Sequence, residues 1–279
     1  MEQYTLIGHP LGHSMSPFIH ERLFALADRE ASYTLTDLAP EQLPAVADSL
    51  RQLQGFNITI PHKMAILPML DALDESAARY QSVNCVAQKG GKLIGYNTDC
   101  DGFTLSVKDF PMHGKVLLVG CGGVGRMMAL EALRCGADLT IGILPRHLSR
   151  VAAFVDDLKH QMPQASVRYA LTEDLNEPFD VLLNASPVGM YPNSTDCPVS
   201  DALIDQADYF FDVIYNPTQT VLLRKAQAQG KVVMGGAAML VLQAVRAHEI
   251  WNGDSYTPEQ IASIIQEMEA KIDAQNAAK

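Results

Sequence analysis

The sequence predicts an α/β fold: an N-terminal α/β domain followed by a Rossmann domain that binds a dinucleotide. A glycine-rich motif follows an apolar run at residues 116–119 and leads into a stretch of helix formers. Beyond it, short apolar runs alternate with helical stretches, as in a parallel sheet connected by helices. The 279 residues are enough for two domains, each with its own core.

The composition and charge of the chain argue against several classes of function. Apolar residues make up 48% and charged residues 19% of the chain, an ordinary globular composition. The net charge of −11 argues against a nucleic-acid surface and against attraction to anionic membranes. No apolar run reaches the length of about 20 residues needed to span a bilayer. Residues 1–4 lack the basic and apolar regions of a secretion signal.

The five cysteines form no C-x-x-C pair and are odd in number, which is typical of free thiols in a reducing cytoplasm. We therefore expect a cytoplasmic protein that acts on a small molecule, with neither a nucleic-acid nor a membrane partner. The histidines at positions 13, 62 and 248 have no metal-ligand spacing, and no metal site is predicted. The oligomeric state is left open.

The glycine motif has G-x-G-x-x-G spacing at Gly120, Gly122 and Gly125. The first glycine permits a tight turn, the second lets a pyrophosphate approach the backbone, and the third allows close packing of helix on strand. The unpaired N–H groups at the helix start attract phosphates. The alternative is a glycine-rich turn of another α/β protein, but the strand–turn–helix context favours dinucleotide binding.

Residues 1–112 are predicted to form the first domain. Ser16 followed by Pro17 predicts the start of a helix over 18–27, with Ser16 as the cap. Asp99 is placed to cap a helix over 102–109. The other predicted elements are strands at 4–8, 32–36, 55–59, 83–86 and 92–96, a hairpin turn at 90–91, a helix over 40–53 and two short helices around Pro68.

The breakers at 111–114 predict a domain boundary, and residues 113–236 are expected to form the Rossmann domain. Its six candidate strands lie at 116–119, 139–141, 167–170, 181–184, 209–213 and 232–234. The helices over about 237–279 follow the last strand. We expect them to pack back on the first domain, since no Rossmann strand is left for them to connect.

Seven stretches resemble, in order, the motifs of the shikimate dehydrogenase family. They include Asn-Ile-Thr-Ile-Pro-His-Lys at 57–63, and the others lie at 8–17, 82–84, 97–99, 120–125, 184–190 and 239–243. The resemblance implies a cytoplasmic oxidoreductase of aromatic amino acid (chorismate) biosynthesis. It would reduce 3-dehydroshikimate reversibly to shikimate with a nicotinamide cofactor.

The resemblance also implies roles for individual residues. Lys63 and Asp99 match the catalytic pair, and Tyr215 matches a tyrosine at the substrate cleft. Ser14 and Ser16 match the hydroxyls that hold the substrate carboxylate. The residues that match those binding substrate hydroxyls are Thr59, Asn84 and Gln243. The residues that match the cofactor site are Gly120, Cys121, Gly122, Gly123 and Val124 at the pyrophosphate, and Val213 and Gly236 beside the nicotinamide.

The chemistry of ketone reduction requires residues of these types, independently of the family resemblance. Hydride transfer to a ketone leaves an alkoxide, so a proton donor must lie within hydrogen-bond reach. A lysine paired with a carboxylate can move that proton. The structural alternatives are a solvated Lys63, an Asp99 that only caps a helix, and a Ser16 that only caps another. A lysine at a helix start faces the positive dipole end, which favours a functional reason for Lys63.

The choice of cofactor rests on the loop after the second Rossmann strand. An NAD enzyme usually carries an acid there for the ribose hydroxyls, and this chain has none between residues 138 and 156. Arg146, with Arg150, is placed to meet a 2′-phosphate, so NADP is expected over NAD. The family's Asn-Arg-Thr is absent here, and residues 236–239 differ from its Gly-Leu-Gly-Met.

Two alternatives remain at this point. One is the same chemistry on another substrate, by an NAD-dependent quinate/shikimate dehydrogenase or an aminoshikimate dehydrogenase. The other is a ligand-binding paralogue without turnover. The presence of both Lys63 and Asp99 argues against the second.

Overall fold

The computed structural model describes residues 1–12, 14–145 and 148–278. Its strands are β1 (Glu2–Gly8), β2 (Ala31–Asp37), β3 (Gly55–Ile58), β4 (Ala72–Leu73), β5 (Cys85–Lys89), β6 (Lys92–Tyr96), β7 (Lys115–Val119), β8 (Asp138–Ile143), β9 (Val167–Leu171), β10 (Phe179–Asn184), β11 (Ala207–Asp212) and β12 (Val232–Gly235). Its α-helices are α1 (Ser16–Leu26), α2 (Ala47–Leu50), α3 (His62–Ala65), α4 (Glu75–Tyr80), α5 (Asp99–Ser106), α6 (Gly123–Arg134), α7 (Leu148–Gln161), α8 (Asp201–Asp205), α9 (Val221–Ala228), α10 (Gly236–Asn252) and α11 (Pro258–Ala277).

The chain divides into two compact units. Unit 1 comprises Met1–Gly102 and Leu240–Met268, and unit 2 comprises Phe103–Met239 and Glu269–Lys279. The division falls at residue 102, whereas the sequence suggested 112. The C-terminal helices are also divided between the units, because Leu240–Met268 belong to unit 1 and the last residues belong to unit 2. There Thr218 Oγ1 donates to Asp273 at 2.7 Å, and Asn276 donates to Asn216 at 2.9 Å.

Unit 1 is built on a mixed sheet with strand order β2-β1-β3-β5-β6-β4. β1 pairs in parallel with β2 and β3, whereas the β5–β6 hairpin is antiparallel and pairs with β3. The predicted hairpin turn is confirmed: Gly90 and Gly91 have φ of 57° and 81°. β4 was not predicted, because two residues are too few to show a periodicity.

Three predicted helix features are wrong. Residues 40–46 form a 3₁₀ helix rather than an α-helix, because Pro44 lacks the N–H that an α-helix needs. Ser16 is the first residue of α1 and not its cap; its N–H instead donates to Ser14 Oγ at 3.2 Å. Asp99 likewise begins α5 and does not cap it, and Asn97 Oδ1 accepts from Cys100 N at 3.4 Å.

The single tryptophan, Trp251, ties α10 into unit 1. Its indole N–H donates to the Val86 carbonyl at 2.9 Å, and its ring lies 4.7 Å from that of Tyr4. A methyl group at Gly55 would lie 2.3 Å from the indole nitrogen, so a glycine is required there. Next to it, Tyr4, Leu6, Phe24 and Tyr33 form a buried cluster.

Unit 2 contains an all-parallel sheet with strand order β12-β11-β10-β7-β8-β9. Counted from β7 as the first strand, this is the order 6-5-4-1-2-3 of the doubly wound dinucleotide-binding fold, so the predicted Rossmann domain is confirmed. Its strands are buried, with Leu117, Leu182 and Phe210 fully inaccessible. Among the described residues no helix has the length and apolar character needed to cross a membrane.

Candidate active site and cofactor groove

The first part of the site forms where β3 ends in unit 1. Thr59 follows the strand, and its carbonyl accepts the N–H of His62, which begins α3. The His62 ring is fully buried, with Nε2 2.5 Å from the Leu38 carbonyl oxygen. This anchored turn leaves the next side chain, Lys63, partly open to solvent.

Lys63 and Asp99 form an ion pair, with Nζ 2.6 Å from Oδ2. Their side chains are 23% and 19% exposed, so the pair is accessible but shielded from full solvation. Asn84 Nδ2 donates to the other carboxylate oxygen at 2.9 Å. One oxygen of Asp99 is therefore held by a buried amide, while the other holds the lysine.

A buried polar cluster surrounds Asn84 within unit 1. Thr98 N donates to Asn84 Oδ1 at 2.6 Å, and Asn84 Nδ2 lies 3.0 Å from Thr98 Oγ1. Gln243, on α10, places Oε1 3.4 Å from both Asn84 Nδ2 and Thr98 Oγ1. Thus the structure brings together four of the residues named from the sequence, Lys63, Asp99, Asn84 and Gln243, with Thr98 beside them.

Ser14 lies on the loop before α1 and Ser16 is the first residue of that helix. A tyrosine that the sequence reasoning missed lies between Ser16 and this cluster. Ser16 lies beside Tyr33, whose hydroxyl donates to Asn57 Oδ1 at 2.7 Å. Asn57 Nδ2 in turn donates to the Asn84 carbonyl at 3.1 Å. Burial raises the pKa of Tyr33 well above its usual value, and the neighbouring Ser16 hydroxyl acts the other way.

The remaining predicted substrate residues are Thr59, which follows β3 in unit 1, and Tyr215 in unit 2. The Thr59 N–H donates to the Ile7 carbonyl at 2.9 Å, and the Thr59 methyl packs so near Gly8 that a side chain there would clash at 2.4 Å. Tyr215 is in unit 2, beyond the end of β11, and burial raises the pKa of its phenol.

The glycine motif forms the turn from β7 into α6. Gly120 has φ of +110°, which a side chain would strain, and a methyl group at Gly125 would lie 2.6 Å from the Gly120 carbonyl oxygen. A methyl at Gly122 or Gly123 would meet nothing within 4 Å. The first and third glycines therefore build the turn, and the second leaves open space above the helix start.

A groove of about 340 Å³ extends from this turn. It is lined by the turn, by the end of β8 and by residues 185–188 after β10. Of its described lining residues, Arg150 is cationic and none is acidic. Arg146 lies outside the described residues. The lining suits a phosphorylated ligand, since the N-terminus of α6 and Arg150 both attract negative charge.

Val213 and Gly236 lie against each other at the ends of β11 and β12. A methyl at Gly236 would lie 2.1 Å from the Val213 carbonyl oxygen, so only glycine fits. Asp212, just before them, is fully buried, and burial raises its pKa to about 6. The sequence reasoning missed Asp212, although an acid directly after Phe210-Phe211 in a buried strand was a usable signal.

Among the described residues no group of three His, Cys, Asp or Glu side chains is placed to hold a metal ion.

Comparison with known proteins decides the family. Residues 6–86 match the model of the shikimate dehydrogenase substrate binding domain. A shikimate dehydrogenase (NADP(+)) of Caldanaerobacter subterraneus subsp. tengcongensis is 34% identical over 260 residues, covering 91% of this chain and 92% of that protein. The chain belongs to the shikimate dehydrogenase family.

Solved structures agree with this membership. Shikimate 5-dehydrogenase from Thermus thermophilus, in complex with NADP(H) and shikimate, superposes with a TM-score of 0.83 at 29% identity, covering 96% of this chain and all 100% of that one. A ligand-free 5-ketofructose reductase of a Gluconobacter strain gives a TM-score of 0.81 at 30% identity, covering 96% and 98%. One structural neighbour of this chain is thus named for a substrate other than shikimate.

Proposed function

We propose that the protein is a shikimate dehydrogenase that interconverts 3-dehydroshikimate and shikimate with NADP. The observation that carries the proposal is the Lys63–Asp99 pair at 2.6 Å within the Asn84–Thr98–Gln243 cluster. A ligand-binding paralogue would not require this pair, whereas ketone reduction requires a proton donor that is held in place. Membership of the family supports the same reaction.

Lys63 is the group that exchanges a proton with the reacting oxygen of the substrate. Its amine is partly exposed, and the Asp99 carboxylate fixes its position through the 2.6 Å contact. Asn84 holds Asp99 from the other side, so the carboxylate cannot rotate away without breaking that bond. The pair therefore holds the Lys63 amine in a fixed position for proton exchange with the substrate.

The other unit 1 residues give the substrate its orientation. Asn84, Gln243 and Thr59 offer amide and hydroxyl groups suited to ring hydroxyls. Ser14 and Ser16 offer hydroxyl donors for the carboxylate, and Tyr215 of unit 2 is assigned to the substrate as well. Because these groups are neutral, they bind an anion by hydrogen bonds without introducing a second fixed charge.

The cofactor groove in unit 2 fits NADP. Gly120, Cys121, Gly122, Gly123 and Val124 would hold the pyrophosphate, and Val213 and Gly236 would flank the nicotinamide. Arg150 lines the groove and no described lining residue is acidic, which favours a 2′-phosphate over a free ribose hydroxyl. When bound, the nicotinamide supplies or accepts the hydride. Arg146 is a further candidate for the 2′-phosphate on sequence grounds.

In the cell we place the enzyme in aromatic amino acid (chorismate) biosynthesis in the cytoplasm. All five cysteines are free, as expected in a reducing compartment. We assign the substrate to unit 1 and the cofactor to unit 2, in line with the two domains expected from the sequence.

A substrate and cofactor panel tests the proposal. Purified protein is assayed for reduction of NADP⁺ and of NAD⁺ with shikimate, quinate and aminoshikimate, and for NADPH oxidation with 5-ketofructose. We expect the highest kcat/KM with shikimate and NADP⁺. Turnover of another substrate above shikimate would reassign the substrate, and binding without turnover of any would identify a non-catalytic paralogue.

A further inference from the structure

Asp212 is a buried carboxylate for which the proposed reaction has no role. It is the last residue of β11 and fully inaccessible to solvent. Its Oδ1 accepts from Asn184 Nδ2 at 3.0 Å and from the Ile214 N–H at 3.1 Å, and its Oδ2 accepts from Thr220 Oγ1 at 2.8 Å. Burial of an ionised group is costly, and these donors offset part of that cost.

One branch of contacts runs from Asp212 to the cofactor groove. The side-chain N–H of Asn184 donates to Asp212, so the Oδ1 of Asn184 faces the opposite way. This Asn184 oxygen accepts from Ser186 N at 3.0 Å and from Ser186 Oγ at 2.7 Å. Ser186 Oγ also accepts the Val188 N–H at 3.3 Å. Ser186 and Val188 line the groove, whereas Asp212 does not. Asp212 therefore determines which way the Asn184 amide holds the groove wall.

A second branch runs to the residues assigned to the nicotinamide. Asp212 binds the Ile214 N–H, and the Ile214 carbonyl accepts from Gly236 N at 3.1 Å. The Val213 N–H donates to the Asn184 carbonyl at 3.0 Å. The backbone around Val213 and Gly236 is thus fixed by the same carboxylate.

We infer that Asp212 is a positioning residue for the cofactor, acting through Asn184–Ser186–Val188 on one side and Ile214–Gly236 on the other. The inference rests on the proposed NADP groove and goes beyond the residues that line it. The carboxylate touches neither substrate nor cofactor in this assignment, so its removal should weaken cofactor binding and leave the unit 1 residues unchanged.

The test is calorimetric titration of the full-length protein with NADP⁺, without substrate. In Asp212→Ala we expect the Kd for NADP⁺ to rise at least about tenfold, as when hydrogen bonds to a charged group are lost. Asp212→Asn keeps an acceptor for Asn184 and Ile214 and offers Thr220 an N–H, so its Kd should stay within about threefold of wild type. Asp208→Ala is the matched control, because Asp208 lies exposed on the same strand.

A second variant keeps the inference testable if Asp212→Ala folds poorly. Thr220→Val removes only the hydroxyl that donates to Asp212 Oδ2, and a Kd increase of about two- to fivefold is expected, since one buried hydrogen bond is lost. Wild-type NADP⁺ affinity in folded Asp212→Ala and Thr220→Val would overturn the inference. A loss of affinity in Asp208→Ala equal to that in Asp212→Ala would overturn it as well. The KM for shikimate should not change, which separates positioning of the cofactor from general damage. If the wild type binds NADP⁺ but does not oxidise shikimate, the proposed substrate fails while this test still holds.

Discussion

The Tyr33 hydroxyl lies 2.7 Å from Asn57 Oδ1, beside the buried amides behind Asp99. The bond fixes the Asn57 amide, because Oδ1 must accept from Tyr33 and Nδ2 is then free to donate to the Asn84 carbonyl. Tyr33 is also stacked on His20, with ring centroids 4.0 Å apart, so the phenol has little room to move. The side chains proposed to bind substrate are therefore backed by a second layer of hydrogen-bonded residues.

We expect Tyr33→Phe to keep the fold but lower the free energy of unfolding by about 1–3 kcal/mol, since Asn57 Oδ1 loses its donor in a buried site. The KM for shikimate should rise several-fold through Ser16, with a smaller change in kcat. Denaturant unfolding and steady-state kinetics measure the two effects. Tyr169→Phe, at an exposed position on β9, is the control, and equal effects in both variants would contradict the role given to Tyr33.

Replacement of Lys63 by Ala should reduce kcat by about 10²–10⁴, the usual contribution of a general acid–base group. Substrate binding should change far less, because the proposed contacts of the ring and carboxylate come from other side chains. Asp99→Asn should also be slow, and the double variant should lose much less than the product of the single losses. Lys92→Ala, at an exposed strand end, controls for loss of a positive charge. A Lys63→Ala enzyme that retains more than a tenth of wild-type kcat would rule out the assigned role.

Arg150→Ala should raise the KM for NADP⁺ by about tenfold and leave the KM for NAD⁺ nearly unchanged, since a charge-assisted contact to the 2′-phosphate is lost. Arg146→Ala, suggested by the sequence, is measured in parallel to show which arginine dominates. Arg224→Ala, on α9 and exposed, is the charge-matched control. Loss of affinity for both cofactors alike would indicate a general effect on the groove instead.

Acid should destabilise the protein through its buried histidine pair. His20 Nδ1 lies 3.0 Å from His248 Nε2, and burial lowers both pKa values, that of His248 from 6.5 to about 4. The unfolded chain then takes up protons more readily, so the stabilisation is present above pH 6.5 and is lost as the pH falls toward 4. Between pH 7 and 5 His248 alone should remove about 2 kcal/mol.

Two variants separate this effect from that of Asp212, whose raised pKa acts in the opposite direction. The ionised Asp212 lowers stability at neutral pH, and protonation below about 6 recovers part of the loss. His248→Gln should therefore flatten the fall in unfolding free energy between pH 7 and 5, whereas Asp212→Asn should steepen it. Parallel pH profiles for all three proteins would contradict both assignments.

The sequence predicted most of the strands and the glycine turn, because local patterns encode them. The glycine motif and the apolar runs specified the Rossmann domain, because parallel buried strands and their glycine turn have distinctive spacing. The Lys63–Asp99 pair came from the family resemblance, and the structure brings the two together. Tyr33, Thr98 and Asp212 were not predicted as site residues, because their contacts depend on partners from distant segments. Ser16 and Asp99 were misread as caps because a helix boundary can shift by a few residues without changing the pattern.

The position of the single tryptophan makes the two units distinguishable by spectroscopy. Trp251 is packed against Gly55 and hydrogen-bonded to Val86 in unit 1, and unit 2 has no indole of its own. Intrinsic emission excited at the red edge therefore reports the loosening of one unit only, whereas far-ultraviolet circular dichroism sums the helices and strands of both. Denaturation curves from the two signals will coincide if the units melt together and will separate if one melts first, with no extrinsic label.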